Sequence, residues 1–125
     1  GRKEVIPRTV GHSPRAATQR ARSASSEAEW LRANGWSRSG NVYRGHFWTA
    51  TGALNGHVEA RDGGYEVYVY RAPAWLRSGT HCLCVQDKGE KGWQIHQNSF
   101  QPSAIQTIRA TEAFLMEKCE EAGLA

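Results

Sequence analysis

Tyr65-Glu66-Val67-Tyr68-Val69-Tyr70 is the stretch that decides the fold. Its alternation sets Tyr65, Val67 and Val69 on one face of a strand and Glu66, Tyr68 and Tyr70 on the other, the period of a sheet with one buried side. Asp62-Gly63-Gly64 before it reads as a turn. Ala72-Pro73-Ala74-Trp75-Leu76 after it breaks the sheet, because proline has no amide to give to a ladder. Upstream, Asn41 to Ala53 is a long β-prone stretch and His57 to Arg61 another, with Asn55-Gly56 between them as the strongest hairpin signal of the chain. Downstream, Thr80 to Gln86 and Trp93 to Gln97 read as strands around the polar turn Asp87-Lys88-Gly89-Glu90-Lys91-Gly92.

Both flanks of this region read as helices. Ser25 or Ser26 caps a short one, with Glu27 and Glu29 in the first turn favouring the macrodipole, and Asn34-Gly35 ends it. Pro102 opens a long helix to about Glu121, with Asn98 or Ser99 as the cap of an earlier start. Ala104, Ile105, Ile108, Leu115 and Cys119 form its apolar stripe, Glu112 lies inside that stripe and Phe114 points away. A carboxylate there needs a partner, and Arg71, Arg77 or a sheet tyrosine would serve. The expected fold is α+β: an antiparallel meander of four to five strands packed by a C-terminal helix, with a short N-terminal helix, residues 25–125 making a single domain.

The charge is partitioned. Residues 1–24 hold six basic side chains (Arg2, Lys3, Arg8, Arg15, Arg20 and Arg22) against one acid, Glu4, while the rest of the chain holds ten Lys/Arg and eleven Asp/Glu. With Pro7, Pro14 and few large apolar groups, the first 24 residues read as a disordered basic arm. Clustered cations neutralise phosphates and release counterions, so the arm is a candidate contact for nucleic acid or another polyanion. The body has no such excess. A basic, acid-poor, serine-bearing arm also fits an organellar transit peptide, a reading that its two prolines weaken. Gly1 in place of an initiator Met fits a tag scar or a piece of a longer chain.

No run of about 18 apolar residues is present, so no transmembrane helix and no membrane partner are expected. Three cysteines, an odd and small set, argue against a disulfide framework and for a reducing compartment such as the cytoplasm. No cofactor motif, phosphate-binding glycine loop or metalloprotease helix occurs.

Two clusters carry candidate chemistry. His81-Cys82-Leu83-Cys84, with His96 on the neighbouring strand, contains zinc-type ligands, but structural zinc sites pair C-x2-C knuckles and no second pair follows; no metal is expected. The same residues would make a thiol nucleophile with a histidine base if the register brought them together, and otherwise are small core hydrophobes. Tyr68 and Tyr70, with Trp48 and Trp93, form either a stacking platform for bases or a packed aromatic face. Trp75, in the proline break, is a further candidate contact.

The order of helix, meander, Pro73-Ala74-Trp75-Leu76, His81-Cys82-Leu83, Trp93 and a closing helix from Ile105 to Leu115 resembles ubiquitin-conjugating enzymes and the related RWD domains over about residues 26–121. The resemblance implies Cys82 as the thioester cysteine. The His-Pro-Asn element of that family is absent, and His81 abuts Cys82 instead of preceding it by several residues. The chain is thus expected to be a small non-catalytic binding or adaptor domain that meets a protein partner, with the arm engaging a polyanion. The alternatives are a cysteine-dependent enzyme of the ubiquitin-conjugating kind, using Cys82, His81 and His96, and a sheet-face nucleic-acid binder.

Overall fold

The computed structural model describes residues 26–77, 85–96 and 101–125 of the chain. Residues 26–33 form helix α1. It stops where its sequence says it should: Gly35 takes a φ of +77°, and the amides of Asn34 and Trp36 donate to Leu31 O at 3.1 and 2.7 Å.

Six strands follow: β1 (Ser37–Ser39), β2 (Val42–Thr49), β3 (Gly52–Arg61), β4 (Gly64–Val69), β5 (Val85–Asp87) and β6 (Trp93–Ile95). They make one sheet in the order β1-β2-β3-β4-β6-β5, with every pairing antiparallel. The last hairpin therefore docks through β6 onto β4 and leaves β5 at the edge. Helix α2 (Ala74–Arg77) occupies the proline break, and helix α3 (Ala104–Glu121) closes the fold. The fold is α+β as expected, with β1 as the extra strand. Ser37-Arg38-Ser39 has no apolar alternation to announce it. It is held by backbone pairing and by the Arg38 guanidinium 5.1 Å above the Tyr43 ring.

The expected hairpin at Asn55-Gly56 does not form there. Both residues lie inside β3, where Asn55 faces His46 and Gly56 faces Gly45; the turn is Ala50-Thr51. Thr49 builds that turn, its hydroxyl accepting the Thr51 amide at 3.1 Å and donating to Gly52 O at 2.7 Å. Gly56 is needed for space. A Cβ on it would lie 2.5 Å from Phe47 Cε2 and 2.9 Å from Trp36 Cη2, and one on Gly45 would lie 2.6 Å from Trp36 Cγ. The paired glycines form a slot for the Trp36 and Phe47 rings, whose centroids are 5.1 Å apart. Side-chain packing thus overrides the local turn preference.

Register sorts the sheet into two faces. Tyr43, Phe47, Val58, Val67, Val69 and Ile95 share one, each almost fully buried. Helix α3 covers this face and contributes Ala104, Thr107, Ile108, Thr111, Phe114, Leu115, Lys118 and Cys119. That set follows i, i+3, i+4, i+7 closely, and it corrects the expected stripe: Phe114 points inward, 6% exposed, while Ile105 is only half-buried. Thr107 and Thr111 hide their polarity locally, each hydroxyl donating 2.8 Å to the carbonyl four residues back, Ser103 O and Thr107 O. The cap is Ser103, whose Oγ accepts the Gln106 amide at 3.2 Å, so Pro102 stands before the helix instead of within its first turn.

Among the described residues, Glu112 finds neither a cation nor a tyrosine. Its Oε2 accepts the Trp48 amide at 2.9 Å. β1 pairs with β2 only as far as Arg44, so Trp48 lies beyond the protected edge and the helix carboxylate satisfies its amide. No helix among the described residues is long and apolar enough to cross a membrane.

Candidate binding cleft on the polar face

The strand alternation that buries one face puts polar side chains on the other. β2 places Arg44, His46 and Trp48 there; β3 places Asn55, His57, Glu59 and Arg61; β4 places Glu66 and Tyr68. Register then fixes the neighbours. Arg44 sits opposite His57, His57 opposite Tyr68, and Tyr68 opposite Gln94, giving a polar row across four strands. Directly opposed residues have Cβ atoms about 5 Å apart, so these side chains are neighbours.

One part of this face is a closed network. His57 Nε2 donates to Glu59 Oε1 at 2.9 Å, and Arg61 pairs with the other Glu59 oxygen. Arg61 Nε also reaches Glu66 Oε1 at 3.1 Å, and the Tyr68 hydroxyl donates to that same oxygen at 3.1 Å. The hydrogen bond from His57 holds the Glu59 carboxyl below its ordinary value, against the opposing effect of burial and with help from the Arg61 charge. Burial, and then the bond to Glu66, push the Tyr68 phenol up. The His57 ring meets the Tyr68 ring edge-on at 5.6 Å, and Lys91 Nζ sits 5.5 Å from the centre of that ring. Only 4% of Tyr68 is exposed.

Beside the network lies a cleft of about 820 Å³. Arg44, His46, Asn55, His57, Tyr70 and Lys91 line it, with the backbone of Gly45 and Gly56 along its floor. The volume is that of a small-ligand site. The electrostatics are uneven. Glu59 also borders the cleft but is already paired with His57 and Arg61. Among the described residues, no carboxylate lies within ion-pair distance of Arg44 or Lys91. Tyr70, 48% exposed, stands at the rim with the Arg71 guanidinium 5.3 Å from its ring centre. Arg71 itself has a φ of +57°, a left-handed angle that costs a non-glycine residue roughly 1–2 kcal/mol. Strain of this kind gathers at binding sites.

The residues singled out from sequence divide sharply. Tyr70 lines the cleft, but Tyr68 lies beneath Lys91 and offers no stacking surface. Trp93 is opposite Val69 and so belongs to the helix side, half-buried with the Arg77 guanidinium 5.7 Å above it. Trp75 is half-buried in α2, away from the cleft lining. His96 Nε2 lies 3.2 Å from Gln86 Oε1, which joins β6 to β5. His81, Cys82 and Cys84 lie outside the described residues, as do Arg2, Lys3, Arg8, Arg15, Arg20 and Arg22 of the basic arm. Arg44, His46, Asn55, His57 and Lys91 were not legible as a site. The signal for the first four was the alternation of residues 42–49 and 52–61, which a turn placed at Asn55-Gly56 cuts in two.

No protein-family model, curated protein or solved structure matches this chain.

Proposed function

We propose that this chain is a small non-catalytic binding domain whose ligand lies in the cleft on the polar sheet face and presents an anionic group to Arg44 and Lys91. The observation that carries this reading is the pairing pattern: of the cleft's two acids, Glu59 is engaged within the network, and neither Glu59 nor Glu90 comes within ion-pair distance of Arg44 or Lys91, which face the space. A guanidinium supplies a planar fork of donors to phosphate or carboxylate, and an ammonium adds a point charge. His46 adds a ring N–H donor at the same cleft. The basic arm, by its composition, strengthens capture of the same kind of ligand.

The test is polyphosphate binding by the full chain with the six basic residues of positions 1–24 replaced by Gln, so that only the cleft's cations are read. Arg44→Glu with Lys91→Glu should weaken binding at least tenfold at low salt and flatten its salt dependence, with circular dichroism unchanged. Equal affinity in the charge-reversed variant would remove the cleft from the account.

A further inference from the structure

The cleft is part of a longer track. β2 presents Arg44, His46 and Trp48 at every second residue on the polar face, and Trp48 is 62% exposed. Alternate residues of a strand are roughly 6.7 Å apart, close to the step between successive phosphates of an extended single strand. Tyr70 stands at the rim of the same cleft, 48% exposed, and Asn55 lies opposite His46 with an amide able to donate and accept. The face therefore carries two cations without an acidic partner among the described residues, Arg44 and Lys91, and two exposed rings, Tyr70 and Trp48. A bare anion needs only the first, and an acidic peptide has little use for the second.

Resting on the binding reading above, we propose that the occupant of this face is single-stranded nucleic acid: its phosphates run past Arg44, His46 and Lys91 while bases stack on Tyr70 and Trp48. Stacking on aromatic rings is tolerant of sequence, because every base has a π face, and a groove of cations tracks the backbone. A duplex is excluded by the same geometry, since its bases are already stacked on one another and cannot reach either ring. The two cations without an acidic partner favour an anionic ligand, and the two exposed rings select the unpaired strand within that class. Glu90, also at the cleft, keeps affinity modest and dependent on ionic strength.

The experiment uses the full chain with Arg2, Lys3, Arg8, Arg15, Arg20 and Arg22 replaced by Gln, so that the arm's charge does not mask the cleft. Its affinity is measured for a short single-stranded deoxythymidine oligomer, the same oligomer in a duplex, polyphosphate and a polyglutamate peptide of matched charge. The proposal expects the single strand to bind tightest. It also expects Tyr70→Ala and Trp48→Ala each to weaken that binding about five- to a hundredfold, and Trp48→Ala, outside the cleft lining, to leave polyphosphate binding unchanged. If polyphosphate binds as well as the oligomer and the aromatic variants behave like the parent, the nucleic-acid assignment fails and the anion-binding cleft stands. Tighter binding of polyglutamate or of the duplex overturns the assignment in favour of that class. If none binds in an Arg44-dependent way, both the assignment and the cleft reading fall.

Discussion

His57 Nε2 donates to Glu59 Oε1 at 2.9 Å from two positions away on the same strand, and with Arg61 it keeps the Glu59 carboxyl below its ordinary value of 4.5. The folded chain therefore binds that proton less readily than the unfolded chain does. The resulting stabilisation is complete above pH 4.5 and is lost as pH falls through the lower, folded value. Glu59→Gln removes it. In urea denaturation, the stability gap between parent and variant should narrow once pH drops below that point. A gap that stays constant down to the acid limb would show that the pairing contributes nothing to the folded state.

The glycine pair makes a second, sharper prediction. Gly56→Ala forces a methyl into space occupied by Phe47 and Trp36, and overpacking of this kind costs about 1–3 kcal/mol. Asn55→Ala, at an exposed position within the same strand, should change stability by less than about 0.5 kcal/mol. A true turn at these residues would make both changes costly. Chemical denaturation of the two variants separates a packing role from a turn role.

Much of the fold was legible, and the exceptions share a cause. β4 was visible because Tyr65 to Tyr70 alternate without interruption, and α1 ended at Asn34-Gly35 because nothing in the tertiary structure competes with that stop. β3 was hidden because Asn-Gly is a strong local signal whose glycine serves a nonlocal purpose, making room for two rings. Thr107 and Thr111 broke the apparent apolar stripe of α3, since their hydroxyl bonds to backbone carbonyls are invisible in composition. Lost register then concealed the cleft: Arg44 and His57 become neighbours only when the turn is moved to Ala50-Thr51. Aromatic content pointed to Tyr70, which lines the cleft, yet it could not tell that ring from Tyr68, which Lys91 covers.

The inward orientation of Phe114 sets the depth of the helix in the core. Phe114→Ala should cost about 3–5 kcal/mol, as truncation of a buried phenylalanine usually does. Met116→Ala, two residues on and 40% exposed, should fall within about 0.5 kcal/mol of the parent. Equal losses at the two positions would mean that α3 is rotated from the orientation described.

The most direct test of the binding cleft is to map where a polyanion lands. Polyphosphate titrated into the full, isotope-labelled chain should move the NMR signals of Arg44, His46, His57, Tyr70 and Lys91 together, and leave those of Ile108, Leu115 and Cys119 on the opposite layer unmoved. Perturbations confined to residues 1–24, with Arg44 and Lys91 silent, would contradict the account.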